Sequence, residues 1–151
     1  MYKYKVEVTK VVDGDTVDID LDLGFGVWLR NERVRLMGID TPESRTRDLE
    51  EKFYGKQSKK FLKDFLKDKE VFLVSHGKGK FGRILGELFV KSKENDGHPV
   101  FEVDIELNVN EEIVKNFHAV PYHGQSKDDV QQGHMWNRAA LNEQGIKYED
   151  K

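Results

Sequence analysis

The sequence predicts a mainly β protein of the α+β class, a small closed barrel with about three helices packed against its outside. Apolar and polar residues alternate in residues 4–8, 17–23 and 34–38, the period of strands with one buried face. Near Tyr54 the period changes, and apolar residues recur at helical spacing before strand patterns return. Three strands, a helix, two strands and a further helix suit a five-stranded barrel.

Turn residues separate the strands of the first 40 residues. Asp13-Gly14-Asp15 is a turn between the first two strands, and Gly24-Phe25-Gly26 bends the chain before Val27 and Leu29 continue the pattern. Val34 and Leu36 then face one way, so Arg35 faces the other. Pro42 ends this strand because proline cannot donate a hydrogen bond to a sheet.

The rest of the chain predicts two to three helices and a hairpin. Residues 44–52 are expected to form an exposed loop, and residues 61–66 the apolar face of a first helix with lysines opposite. Short strands follow at 71–74, 84–90 and 101–107, with a polar loop at 91–99. Asn110 is the expected N-cap of a second helix. A last short helix around Trp136 would end at Gly145.

Length and composition bound the class of protein. The chain has 151 residues, which suits one domain over 1–146 with a charged tail at 147–151. It has no cysteine, which excludes disulfides and cysteine-ligated zinc. A formal net charge of -3 argues against a protein that coats DNA indiscriminately. The first residues lack a signal-peptide pattern and no stretch is apolar enough to span a membrane, so we expect a cytoplasmic location. A monomer is the default expectation.

Three carboxylates stand close to the predicted strand ends. Asp15 lies in the first turn, Asp40 ends the third strand, and Glu43 follows three residues later. If those strands are neighbours, both aspartates meet at one end of the sheet, where hard oxygen ligands suit Ca²⁺. The alternative is that both segments are only turns, since Asp, Gly and Pro are common turn residues.

Arginines and histidines add weaker indications. Arg35 and Arg83 could hold phosphate oxygens and stabilise developing negative charge, or they could be exposed partners of surface carboxylates. His118, His123 and His134 near Asn137 allow a metal-dependent histidine–asparagine nuclease, but their spacing fits no known template. We interpret each histidine as a surface residue.

Four segments resemble the staphylococcal nuclease-like (thermonuclease) family. VVDGDTV at 11–17, RLMGIDTPE at 35–43, GKQSKKF at 55–61 and KFGRILG at 80–86 occur in the order and approximate spacing of that family's motifs. The resemblance runs from about residue 4 to residue 90, with a weaker similarity at VNEEIVKNF, residues 109–117. It implies a five-stranded OB-fold barrel with three helices.

The resemblance also implies a reaction. Asp15 and Asp40 would bind Ca²⁺ with help from the backbone carbonyl of Thr41, and Glu43 would act as general base toward water. Arg35 and Arg83 would bind the phosphate and its developing charge. The expected reaction is hydrolysis of DNA or RNA at the P–O5′ bond, preferably in single strands, leaving a 3′-phosphate and a 5′-hydroxyl.

The substrate-binding residues depart from the family pattern. Phe81 replaces the family's tyrosine in the turn before Arg83, and the acidic residue of that turn is missing. Lys80, beside Arg83, is a candidate phosphate contact, and Tyr122 falls near a base-stacking tyrosine of the family. Two alternatives stay open: a non-catalytic module that binds nucleic acid or protein on the same fold, and a glycosidase using Asp40 and Glu43, which lacks nearby sugar-binding aromatic residues.

Overall fold

The computed structural model describes residues 2–95 and 102–149, and its centre is a closed barrel of five strands with three helices. The strands are β1 (Lys3–Asp13), β2 (Thr16–Asp22), β3 (Trp28–Leu36), β4 (Ile39–Asp40), β5 (Glu70–Lys78), β6 (Ile84–Asn95), β7 (Glu102–Asn108) and β8 (Val120–Pro121). The helices are α1 (Leu49–Leu66), α2 (Val109–Lys115) and α3 (Lys127–Glu143). The predicted fold class is confirmed.

The barrel closes where the third strand meets the sixth. The strand order is β3-β2-β1-β5-β6, and β3 pairs in parallel with β6 through Val34 opposite Ile84 and Arg35 opposite Leu85. The other barrel pairings are antiparallel. β7 extends the sheet beside β6, and the short strands β4 and β8 form a separate ribbon with Asp40 opposite Val120. Closure pairs Val34 and Arg35 with neighbouring strands on both sides and so fixes the direction of their side chains.

The barrel interior holds the inward-facing residues of the alternating patterns. Val17, Ile19, Val34 and Leu36 are fully buried, and Leu62 of α1 packs into the same cluster. Burying a side chain of this size contributes about 1.5–3 kcal/mol, so these positions specify the register of each strand. Arg35, between two buried neighbours, faces outward as the alternation predicts.

The prediction that Val27 and Leu29 continue the buried face is wrong. Their exposed fractions are 53% and 46%. The turn at residues 24–26 has positive φ at all three positions, and Phe25 at its centre is fully exposed. A register shift in the β2–β3 ladder near Ile19 separates that end of the hairpin from the core.

Helix α1 begins earlier than the sequence predicts. The Asp48 carboxylate accepts hydrogen bonds from the backbone N–H groups of Glu50 and Glu51, at 3.1 and 3.2 Å. Residues 49–52 are therefore the first helical turn and not part of a loop, because a capping aspartate followed by two glutamates stabilises a helix start.

The predicted N-cap of α2 is displaced by two residues. Asn108 caps the helix by accepting from the Glu111 N–H at 3.1 Å. Asn110 is buried instead, donating to the Met37 carbonyl at 2.9 Å and accepting from the Leu88 N–H at 3.2 Å. The side chain thus anchors α2 to the barrel.

Helix α3 is longer than predicted and uses a different face. Ser126 caps it by accepting from the Asp129 N–H, and its buried residues are Val130, His134 and Leu141. Trp136 is 70% exposed. The helix ends before Gly145, whose φ of +89° stops it there as predicted.

Two predicted segments fall partly outside the described residues. β6 continues to Asn95 through the start of the predicted 91–99 loop, and residues 96–101, including Phe101, lie outside the description. In the tail, the Tyr148 ring contacts the Phe53 ring with centroids 5.8 Å apart. None of the helices in the described ranges combines the length and apolarity that a membrane span requires.

Candidate active site

Two turns distant in the sequence are packed against each other at one end of the barrel. The first turn is Asp13-Gly14-Asp15, between β1 and β2. The second turn is residues 41–44, directly after β4. The Ser44 hydroxyl donates to the Asp13 carboxylate. A Cβ atom on Gly14 would stand 3.1 Å from the Thr41 methyl carbon and 2.7 Å from Cβ of Ser58. Glycine is therefore required at position 14 for this close approach.

Arg35 connects the two turns. Its Nη1 donates to the Leu36 carbonyl at 2.8 Å and lies 3.3 Å from Asp15 Oδ2, and its Nη2 donates to the Ile39 carbonyl at 3.0 Å. Two of the guanidinium's five N–H groups thus donate hydrogen bonds, and Nη1 also forms an ion pair with Asp15. Nε donates no hydrogen bond within residues 2–95 and 102–149, and with the second N–H of Nη2 it forms one edge of the planar group that suits bidentate binding of an anion.

A cleft of about 500 Å³ opens beside Arg35. Its lining comes from the β3–β4 region and from the segment around β8 and α3: Arg35, Asp40, Thr41, Glu43, Tyr122, Gln125, Lys127, Val130 and Gln131. The Glu43 carboxylate is exposed and has no ion-pair or hydrogen-bond partner within residues 2–95 and 102–149. Asp15 does not line this cleft, but its Oδ2 forms an ion pair with the lining residue Arg35.

Asp40 has a partner that the sequence does not reveal. His134 Nε2 of α3 lies 2.7 Å from Asp40 Oδ2, and His134 is only 3% exposed. The interpretation of His134 as a surface histidine is therefore wrong. It stands four residues after Val130 and seven before Leu141, so it lies on the buried face of α3. This spacing is the signal in the sequence that places His134 on the same helix face as Val130 and Leu141.

Arg83 and Phe81 lie outside this cleft. Together with Asn31, Glu32, Arg33 and Gly82 they line a neighbouring groove. Arg83 directly precedes β6, whose Ile84 pairs with Val34, so its backbone is close to that of β3. Phe81 is 92% exposed with a φ of +64°. The Lys80 side chain lies outside the described residues.

The remaining histidine hypothesis finds no geometric support. His118 is buried, its ring stacks on Phe61 at 4.8 Å, and burial lowers the pKa of His118 to about 4. Interpreting His118 as a surface residue is thus also wrong, whereas His123 is exposed. Asn137 donates to the Ala119 carbonyl at 3.0 Å. In the part of the chain that the structure describes, no three His, Cys, Asp or Glu side chains converge on one metal position.

The oxygen atoms near Arg35 that could act as metal ligands nevertheless fit a hard cation. Asp15 accepts from the Thr16 hydroxyl at 2.9 Å, and Asp40 offers Oδ1 while Oδ2 faces His134. Two carboxylates and a neighbouring backbone carbonyl are donors that Ca²⁺ accepts, with water or substrate oxygens completing the shell. Ca²⁺ is suitable because the available ligands are oxygen atoms. The side chains alone do not form a complete coordination shell.

Comparison with known proteins places the chain in a family. The model of the family described as "Staphylococcal nuclease homologue" matches residues 33–145. The chain belongs to this family. The family match runs from the last residues of β3 to the end of α3, and it includes all the residues that line the cleft.

Individual relatives agree with the staphylococcal nuclease homologue family. The thermonuclease of Staphylococcus intermedius is 38% identical over 85 residues, 55% of this chain and 47% of the relative. An uncharacterized endonuclease of Escherichia coli is 29% identical over 123 residues, 82% of this chain and 64% of the relative. An uncharacterized protein of Methanocaldococcus jannaschii is 30% identical over 139 residues, 79% of this chain and 59% of the relative. The chain thus spans about half to two thirds of these relatives' lengths.

Proposed function

We propose that this protein is a Ca²⁺-dependent nuclease that hydrolyses single-stranded DNA or RNA at the P–O5′ bond and leaves 3′-phosphate ends. The observation that carries the proposal is the cleft in which Arg35 and Glu43 stand together beside Asp40. Membership of the staphylococcal nuclease homologue family and the names of the thermonuclease and endonuclease relatives support it.

Arg35 would bind the scissile phosphate. Its contacts with Asp15 and two carbonyl groups hold the guanidinium in place, so little reorganisation is needed when charge develops on the phosphate. The N–H groups of Nε and Nη2 along the free edge would donate to two phosphate oxygens. Lysine could not reproduce this because it presents a single charged centre on a flexible stem.

Glu43 would accept the proton of the attacking water. A general base needs an acceptor within hydrogen-bond reach of that water, and an unpartnered carboxylate at the cleft wall meets this condition. The backbone of Glu43 packs against Gly55 of α1, which fixes the position from which the side chain projects.

Asp15, Asp40 and the Thr41 carbonyl would hold the metal ion. Bound Ca²⁺ would neutralise phosphate charge and polarise the P–O bonds. Arg83 would approach the same phosphate from the neighbouring groove, and Tyr122 and Phe81 would offer rings on which bases can stack. Lys80 would contact the phosphate backbone.

A substitution series tests these roles. Glu43→Gln and Arg35→Lys should each lower kcat for cleavage of a labelled single strand by about 10²- to 10³-fold, because each removes a transition-state interaction. Glu7→Gln and Arg47→Lys, at exposed positions outside the cleft, are matched controls that should leave kcat unchanged. Wild-type rates in both cleft variants, with folding retained, would exclude the assigned roles.

A binding module on the same fold is the second candidate. It is favoured by one observation: Arg83 lines a groove separate from that of Arg35. Binding of a single-stranded oligonucleotide that persists in EDTA, with no cleavage in Ca²⁺, would support the module over the nuclease.

A further inference from the structure

We propose that His134 is a positioning residue that orients Asp40 for Ca²⁺, so that helix α3 forms part of the metal site without supplying a ligand. This inference rests on the proposed function. It assigns a role to a part of the chain that carries no recognised catalytic motif.

The hydrogen bond defines the state of both partners. An ionised carboxylate can only accept, so at 2.7 Å the proton between His134 Nε2 and Asp40 Oδ2 belongs to the histidine. His134 Nδ1 is buried and has no hydrogen-bond partner among the described residues. A proton on Nδ1 would be a buried, unsatisfied donor, whereas a bare lone pair costs less. The geometry therefore places the hydrogen-bonding proton on Nε2.

Asp40 is held from two directions. Its backbone pairs with Val120 of β8, and its carboxylate is bonded to α3. Fixing Oδ2 limits rotation about the side-chain bonds and leaves Oδ1 facing a narrow range of directions. A ligand oriented before the metal arrives loses less conformational entropy on binding.

Helix α3 is itself fixed to the strand that pairs with Asp40. Asn137 donates to the Ala119 carbonyl next to β8. A Cβ atom on Gly133 would lie 2.9 Å from a methyl carbon of Val120, so the glycine allows the helix to approach β8 closely. Three contacts thus set the position of His134 relative to Asp40: the pairing of Asp40 with Val120, the hydrogen bond from Asn137 to Ala119, and the packing of Gly133 on Val120.

Calcium affinity measured without substrate tests the proposal. Isothermal titration of Ca²⁺ into the full chain would compare wild type with His134→Gln and His134→Asn. The glutamine amide can place a donor near the position of Nε2, whereas the shorter asparagine amide cannot. We expect about 10- to 100-fold weaker Ca²⁺ binding for the asparagine variant and binding within about threefold of wild type for the glutamine variant. His123→Asn, at an exposed position, is the matched control.

Thermal unfolding in EDTA separates positioning from general stability. Equal melting temperatures for the two His134 variants, with different Ca²⁺ affinities, would support positioning. Wild-type affinity in folded His134→Asn, or equal weakening in both variants, would overturn it. If His134→Asn does not fold, wild-type NMR decides: His134 resonances that shift on Ca²⁺ addition support the proposal, and unmoved resonances contradict it.

The same titration distinguishes failure of the proposed function. Absence of Ca²⁺ binding by wild type would overturn both the metal site and the positioning role. Ca²⁺ binding and cleavage by wild type, with His134→Asn unchanged in both, would overturn only the role of His134.

Discussion

At the scale of single residues, the two buried histidines have different roles because they contact different neighbours. His134 donates a hydrogen bond from Nε2 to Asp40, whereas the His118 ring stacks on Phe61 and its Nδ1 has no hydrogen-bond partner among the described residues. The sequence predicts neither environment, because each depends on which segment packs opposite. Arg35, by contrast, was predictable: alternation with Val34 and Leu36 already turns it outward.

His118 should make stability depend on pH. The unfolded chain takes up a proton near pH 6.5, but burial lowers the pKa of folded His118 to about 4. Above pH 6.5 His118 is neutral in both states and does not lower the stability of the folded state. As the pH drops from 6.5 to 4, the free energy of unfolding falls by about 3 kcal/mol. Urea unfolding between pH 7 and pH 4 measures this slope.

The matched variants for this prediction are His118→Phe and His123→Phe. The first removes the buried titrating ring and should flatten the slope between pH 6.5 and 4, while the second should leave it unchanged. Asp18 and Asp20, whose pKa values are lowered by hydrogen bonds from Arg33 and from the Asn31 backbone respectively, would still destabilise the protein as they protonate in stronger acid. An unchanged slope in His118→Phe would contradict the assignment.

At the scale of elements, α1 determines where Glu43 stands. Gly55 lies inside the helix, where glycine costs about 1 kcal/mol relative to alanine. Its retention has a steric reason: a Cβ atom there would lie 2.4 Å from the Glu43 carbonyl oxygen and 2.7 Å from the Ser44 nitrogen. Backbone atoms cannot rotate away as a side chain can, so helix and turn would have to separate.

Gly55→Ala should consequently destabilise the protein despite the better helix propensity of alanine. We expect a net loss of about 1–3 kcal/mol in the free energy of unfolding and a lower kcat, because displacement of the turn moves Glu43. Gly133→Ala in α3 meets only the side chain of Val120, at 2.9 Å, and should cost less. Chemical denaturation of both variants measures the difference, and a stabilised Gly55→Ala would refute the close packing.

Most elements could be predicted from local pattern, and the exceptions have local causes. The alternation of apolar and polar residues predicts β1, β2 and β3, because each of these strands has one buried face. The start of α1 was missed because its cap, Asp48, stands in a charged segment that resembles a loop. Asn110 was misassigned since a polar residue can cap a helix or satisfy buried backbone groups equally well. Which of these two roles Asn110 takes depends on the barrel residues that pack against it.

At the scale of the whole molecule, closure of the barrel produces the site. The β3–β6 pairing joins residues about 50 positions apart in the chain, a contact that periodicity does not predict. Closure and the β4–β8 ribbon bring Arg35, Glu43 and Tyr122 to one cleft. The motifs predicted Asp15, Arg35, Asp40 and Glu43 as one group, whereas the additional cleft residues Gln125, Lys127 and Gln131 come from a segment with no recognisable motif.

The measurement that tests the nuclease proposal most directly is cleavage of end-labelled single-stranded DNA and RNA by the purified wild-type chain in Ca²⁺, in Mg²⁺ and in EDTA. We predict cleavage in Ca²⁺, little or none in Mg²⁺ and EDTA, and products whose 3′ ends carry a phosphate that phosphatase removes. A folded protein that leaves both polymers intact in Ca²⁺, or that cleaves them equally well in EDTA, would contradict the proposal.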